Sequence, residues 1–326
     1  MSDTSGITSP SLGNSSGNYA KADEAARLKS GGPQLPEPKK DQAKSLWANA
    51  WQDLRRRPVF IVSGIIIVLL IVIAIAPSLF TSTNPKPGDL AHFMQKPKLG
   101  HFFEADWFGY DGQGRSIYAR VIYGARASMT VGVFATLFVT IFGGLIGIIA
   151  GYFGGWVDAL LSRLTDIFFG IPILLGSLVL LQAFAGRTAW TVALALGVLG
   201  WTQVARVMRG SVITVKQADY VQAARALGAG SGRIIFRHVL PNAIAPVIVV
   251  ATIALGMYIS AEATLSYMGI GIQNGISWGA DISMASSQIR NSLHVLLFPA
   301  GFLTVTVLAF IMLGDAVRDA LDPKLR

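Results

Sequence analysis

Six uncharged runs divide the sequence, over 59–80, 127–153, 167–186, 188–205, 239–261 and 291–314. Each is close to the roughly 20 residues that a helix needs to cross the hydrocarbon layer of a bilayer. Within them the polar positions that would form the outer face of a soluble helix do not recur. Only Arg187 separates the third run from the fourth. The pattern predicts an all-α polytopic membrane protein of about six transmembrane helices.

The polar stretches between the runs carry their own signals. Residues 1–45 are rich in Ser, Gly, Pro, Lys and Asp with hardly any large apolar side chain, a composition too poor in burial to offset the entropy of ordering. They are expected to be a disordered cytoplasmic tail. Leu46, Trp47, Trp51 and Leu54 then recur at helical spacing before Arg55, Arg56, Arg57 and Pro58, which predicts an interfacial helix with its indoles at headgroup level. The first apolar run follows this tail, is too long and too late for a signal peptide, and is expected to remain as an anchor. Segment 81–125 opens on the turn Asn84-Pro85-Lys86-Pro87-Gly88, passes through glycine-rich 109–115 and enters the second span by a short amphipathic helix over 117–126. Gly143, Gly147 and Gly151 repeat every fourth residue, a spacing that favours close packing against another helix over a pore lining. The expected units are 1–45, a segment 46–125 with the first span and an external stretch, a five-helix core 126–316, and a cytoplasmic C-terminus 317–326.

Composition reinforces lipid as the solvent: 52% of residues are hydrophobic and 14% charged, against roughly 25% charged in a soluble domain. The formal charge of +9 matters through its placement. Nine Lys/Arg precede the first span, and 206–240 holds Arg206, Arg209, Lys216, Arg225, Arg233 and Arg237 against Asp219, whereas 263–290 holds only Arg290 and Asp281. By the positive-inside rule the N-terminus and 206–240 are cytoplasmic, and six spans return the C-terminus to the same side. Lys86, Lys96, Lys98, Arg115 and Arg120 in the external segment run against this assignment. The basic charge thus belongs to membrane topology and lipid contact, with no nucleic acid implied.

Chemistry is sparse. There is no cysteine, and His92, His101, His238 and His294 show no metal-ligand spacing, so no metal site is expected. Neither a G-x-x-x-x-G-K-[ST] phosphate loop nor a G-x-S-x-G elbow occurs, so the chain is not expected to be an enzyme or to hydrolyse ATP. Glu262 is an acid at the edge of a predicted span, either a gate or a group bonded to the following loop. An ion-driven transporter would place charges or broken helices at midmembrane, and no acid lies well inside any of the six runs.

The thirty-five residues 206–240 are too many for a connector. Asp219 followed by Gln222 reads as a cap, with the Asp accepting from the N3 amide while Gln222 reaches back. A helix over 220–227 should end at Gly228, with Tyr220, Ala223, Ala224 and Leu227 on one face suited to docking in a groove. A second helix over 232–240 should stop or kink at Pro241, making the pair a lever on span five. Two interfacial helices resting on anionic lipid would show the same periodicity.

The order of residues separates these readings. Gln222-Ala223-Ala224, three residues, Gly228, nine residues, then His238-Val239-Leu240-Pro241 resembles the EAA loop of ABC importer permeases, with Gln in place of Glu and His in place of Ile. Further motifs resemble the C-type permease subunit of dipeptide, oligopeptide and nickel importers. They are Leu54-Arg55-Arg56-Arg57-Pro58, Gly109-Tyr110-Asp111, Gly114-Arg115-Ser116, Ile122-Tyr123-Gly124-Ala125-Arg126 and Gly151-Tyr152-Phe153-Gly154-Gly155. Glu262-Ala263-Thr264-Leu265-Ser266, Gly269-Ile270-Gly271, Ser277-Trp278-Gly279 and Leu313-Gly314-Asp315 continue the match in order. The resemblance implies a type I ABC importer transmembrane domain forming half of a translocation path for short peptides. It implies an ATPase-coupling loop of Asp219, Tyr220, Gln222, Ala223, Ala224, Leu227, Gly228, His238, Leu240 and Pro241, and a candidate gate or external loop at Glu262, Ser266 and Trp278. Its implied partners are a similar second permease, two ATP-binding cassette subunits that hydrolyse the ATP, an external solute-binding protein and membrane lipid, with no cofactor on this chain. The implied location is the bacterial inner membrane.

Overall fold

The computed structural model describes residues 51–321. They lie within the compact unit Leu46–Arg326; the other unit, Met1–Ser45, is outside the described residues, as are Leu46, Trp47 and 322–326. Five helices are long and apolar enough to cross a membrane: α1 (Pro58–Ile75), α2 (Ile117–Phe153), α5 (Ala189–Val215), α9 (Ala245–Tyr267) and α11 (Leu293–Leu321). The third expected span is instead a bent pair, α3 (Gly155–Phe169) and α4 (Ile173–Gln182), meeting at 81°. Gly170 ends α3, and Pro172 at the bend has no N–H to donate and disfavours helical backbone before it, so the continuous apolar run 167–186 breaks here. At 10 residues, α4 reaches only about 15 Å, half the hydrocarbon layer.

Other boundaries move for identifiable reasons. Ser116 caps α2, accepting from Ala119 N at 3.2 Å. Its first turns are buried on nearly every side instead of being amphipathic, because α1, the 77–108 segment and the residues around Trp278 wrap Ile117, Tyr118, Val121 and Ile122. A reciprocal Thr188 and Thr191 box starts α5, which continues past 205 to Val215. Its two basic residues stay helical because α3 supplies partners: Arg206 Nη2 meets Asp166 at 2.9 Å and Arg209 Nη2 meets Asp158 at 2.6 Å. The last helix runs to Leu321, so 317–321 of the expected C-terminal unit continue it. Its end holds the entry to α1: Leu54 packs on Ala316 and Ala320, and Arg57 pairs with Asp319 at 2.7 Å.

The expected small-residue contact is present between α2 and α5. A Cβ at Gly147 would stand 2.5 Å from the Ala205 carbonyl oxygen, and one at Gly151 2.8 Å from that of Arg209. The backbones approach at van der Waals distance because no side chain intervenes. Around this seam Val131, Val139, Leu196, Val204 and Val247 form one core; Ile67, Tyr118, Ile122, Trp278 and Phe310 form a second. Outside both, Ile65, Val68, Leu137, Leu145, Leu175 and Leu308 are exposed, the arrangement of a bundle whose solvent is hydrocarbon.

Candidate coupling site

Between α5 and α9 the chain makes α6 (Asp219–Ala226), α7 (Ser231–Ile234), a π-helical turn Ile235–Val239 and α8 (Leu240–Ala243). The start of α6 differs from the expected cap. Ala218, extended at φ −65° and ψ 144°, is the N-cap; Asp219 is the first helical residue and its carboxylate makes no capping bond. Its negative charge still lies where the helix dipole favours it. Gln222 does reach back, but Nε2 donates to the Lys216 carbonyl at 2.9 Å. Lys216 Nζ in turn donates to Gly151 O at 2.6 Å. This chain of bonds ties α6 to the adjoining ends of α5 and α2, and periodicity gave no sign of it.

The end of α6 follows the sequence closely. Gly228 adopts φ +83°, Gly228 N donates to Arg225 O at 3.0 Å and Ala229 N to Ala224 O at 3.1 Å. This is the paired closure that needs a left-handed residue, which glycine adopts without a Cβ clash. Val221 is the buried anchor, while Tyr220, Ala223 and Leu227 are exposed, Leu227 at 89%, with Ala224 at the margin. The predicted docking face therefore points away from the bundle.

The second expected helix is not uniform. Pro241 cannot donate to Arg237 O, and its ring crowds that carbonyl, so the ladder widens into the π turn just before it. Asn242 Nδ2 takes up the His238 carbonyl at 2.7 Å. Val239 and Ala243 are buried, His238 and Leu240 half-buried and Pro241 exposed. The kink thus precedes Pro241, and α9 starts later, at Ala245 with Pro246 in its first turn.

The second predicted group lies at the opposite ends of the spans. Glu262 is wholly buried inside α9, not at its edge; Oε2 accepts from Ser128 on α2 at 2.8 Å and Oε1 from Ser266 at 2.7 Å. Trp278, at the start of α10 (Trp278–Ser286), is also fully buried and donates from Nε1 to Val121 O at 2.9 Å. Its ring occupies the space left by Gly124, where a Cβ would be 3.1 Å away. Arg126 donates to Ala74 O at 3.0 Å and Ile75 O at 2.8 Å, capping α1. These bonds join α1, α2, α9 and α10 at one end.

Two ion pairs there escaped sequence reasoning. Arg115 meets Asp111 at 2.7 Å, and buried Arg120 forks onto buried Asp281, with Nε at 2.9 Å. Burial pushes the Asp281 carboxyl up, against the pull of Arg120. The only hint was that these charges sit inside motif segments. The 101–106 turn also gathers His101, Glu104 and Asp106, with Lys98 Nζ 2.8 Å from Asp106; the Lys98 hydrogen bond holds that carboxyl below the usual range.

Residues 143–326 match the family described as binding-protein-dependent transport system inner membrane component, and 45–97 match the N-terminal transmembrane domain of oligopeptide transport permease C. The chain belongs to this permease family. Over 309 residues the permease is 37% identical to a dipeptide transport system permease protein of Alkalihalophilus pseudofirmus, covering 94% of this chain and 99% of that one. A glutathione transport system permease protein of Pectobacterium atrosepticum is 34% identical over 294 residues, covering 90% and 96%. In fold the permease is similar to a chain of the MetNI methionine ABC transporter, with a TM-score of 0.52 and 18% identity over 62% of this chain and 96% of that one. The permease is therefore an integral inner-membrane subunit of an ABC importer, with the type I transmembrane fold and a class of machine that includes an ATPase and other subunits.

Proposed function

We propose that this permease forms half of an ATP-driven import path for short peptides, together with a similar second permease, two ATP-binding cassette subunits and an external solute-binding protein. The exposed face of Tyr220, Ala223 and Leu227 carries the coupling reading: it is anchored to the bundle by Val221 and Gln222 and runs through the π turn into α9. A rotation of α6 imposed by the ATPase would be passed to α9, and by the Glu262 and Trp278 bonds to α2 and α10, giving alternating access. Any gate at Glu262 has to break its two serine bonds. The basic N-terminal segment and loop favour the cytoplasmic side for the N-terminus and 206–240, and six spans, with the bent pair taken as one, would return the C-terminus to that side. ATP is bound and hydrolysed by the partners, and this chain holds no cofactor or metal of its own. The relatives named for dipeptide and glutathione transport support peptides as cargo, ahead of nickel or another small solute.

The test is uptake of a labelled dipeptide into vesicles holding the assembled importer. Uptake is expected to require both ATP and the binding protein, and to persist when a proton uncoupler is added. Uptake that survives ATP depletion and collapses with the uncoupler contradicts the reading in favour of an ion-driven carrier; failure of the binding protein to take any peptide contradicts the cargo.

A further inference from the structure

Beside the bend between α3 and α4 lies a cavity of about 290 Å³, at the small end of the roughly 300–1,000 Å³ usual for ligand pockets. Phe169, Leu199 and Met257 supply apolar wall, and Thr202, Gln203 and Tyr258 supply polar groups. Thr202 and Gln203 sit near the middle of α5 and Tyr258 near the middle of α9, two of the helices long and apolar enough to cross a membrane. None of the three side chains makes a hydrogen bond among the described residues. An unpaired hydroxyl or amide within a span costs free energy unless something polar reaches it, since lipid tails offer no partner.

The arrangement is built. Gly200 leaves the space in which the Tyr258 hydroxyl lies, and any Cβ there would collide with it. The non-helical backbone at Ile171 and Pro172 borders the same cavity, and irregular backbone at membrane depth is tolerated where it is buried in protein or faces a polar space. Gln203 is exposed, whereas the neighbouring Val204 and Ala205 are buried, so the amide projects from the bundle wall. No charged side chain lines the space; Arg206, one turn along, is committed to Asp166 at 2.9 Å and stacks on Phe169 at 3.8 Å.

We infer that this cavity is a transit subsite for the imported solute, in which Gln203, Tyr258 and Thr202 hydrogen-bond the neutral backbone amides of a short peptide and not its charged termini. This rests on the peptide-import reading above. An amide side chain both donates and accepts, which suits a peptide unit, and the loose apolar wall of Leu199 and Met257 accommodates varied side chains. Termini would call for opposite charges, and the wall has none.

The experiment uses the whole importer in vesicles, supplied with saturating binding protein preloaded with dialanine or its N-methylated-amide analogue. Gln203→Met and Tyr258→Phe are each expected to lower dialanine uptake about fivefold, the worth of one net hydrogen bond. N-methylation is expected to slow the wild-type complex and to make little further difference in Gln203→Met. Wild-type uptake and wild-type discrimination in both variants would overturn the inference. So would loss of the second permease on purification of either variant, which would mean that these groups seal the subunit interface. Absence of peptide uptake by the wild-type complex would overturn the import reading and this inference together.

Discussion

Ala223→Glu is expected to abolish peptide uptake while leaving the permease inserted and paired with its second permease. Position 223 is exposed on α6 between Tyr220 and Leu227, and its methyl group leaves the helix backbone open to close approach. Glutamate is a good helix former, the buried anchor Val221 is untouched, and the closure at Gly228 lies outside the substitution, so α6 should persist. What changes is the interface. Burying an unpaired carboxylate in a docking groove costs on the order of 3–5 kcal/mol, and 3 kcal/mol is already more than a hundredfold in binding. Uptake, together with stimulation of ATP hydrolysis by loaded binding protein, should fall by at least about that factor. Normal uptake would remove the coupling assignment.

The largest stability effect is expected at the opposite end of the spans. Arg120→Met strands Asp281, which is buried, has one oxygen without a partner and depends on the guanidinium for the other. Breaking such a pair costs about 3–5 kcal/mol, whereas removing both charges is often close to neutral. The bond from Arg120 Nη1 to Pro85 O at 3.3 Å is lost as well, loosening the segment between α1 and α2. In detergent, the unfolding temperature of Arg120→Met should fall by about 10 °C, and Arg120→Met with Asp281→Asn should recover most of the loss. A single variant as stable as wild type, or a double variant worse than the single, would show that the pair does not hold the fold.

What could be read from the sequence was local. Apolar run length identified the membrane class, and the Gly143, Gly147, Gly151 repeat marked a close helix contact on α2 without naming its partner, because each depends on neighbours in the chain. The end of α6 was legible for the same reason: a glycine that must turn left-handed is fixed within a few residues. Its start was less so: Asp219 is the residue type that caps a helix, yet Ala218 takes the N-cap position, which depends on the path of the chain from α5. The third span misled because hydropathy over 167–186 does not register the one missing donor at Pro172. The continuation of α5 past 205 depended on Asp158 and Asp166 arriving from another helix. Glu262 and Ser128 are 134 residues apart, and Arg120 and Asp281 are 161 apart; no spacing rule joins them. The π turn is intermediate, since Pro241 marks a break but the burial of Val239 and Ala243 decides where it falls.

The central claim is that α6 is the part of this permease that touches the ATPase. The chain has no cysteine, so Ala223→Cys provides a unique thiol, with Leu175→Cys at an exposed position on α4 as control. With a short thiol-reactive crosslinker in the assembled importer, Cys at 223 is expected to join the ATPase subunit in a yield that changes when ATP binds, and Cys at 175 is expected to give no such product. Crosslinking from 223 to the external binding protein, or equal reaction of both thiols with no ATPase product, would contradict the account.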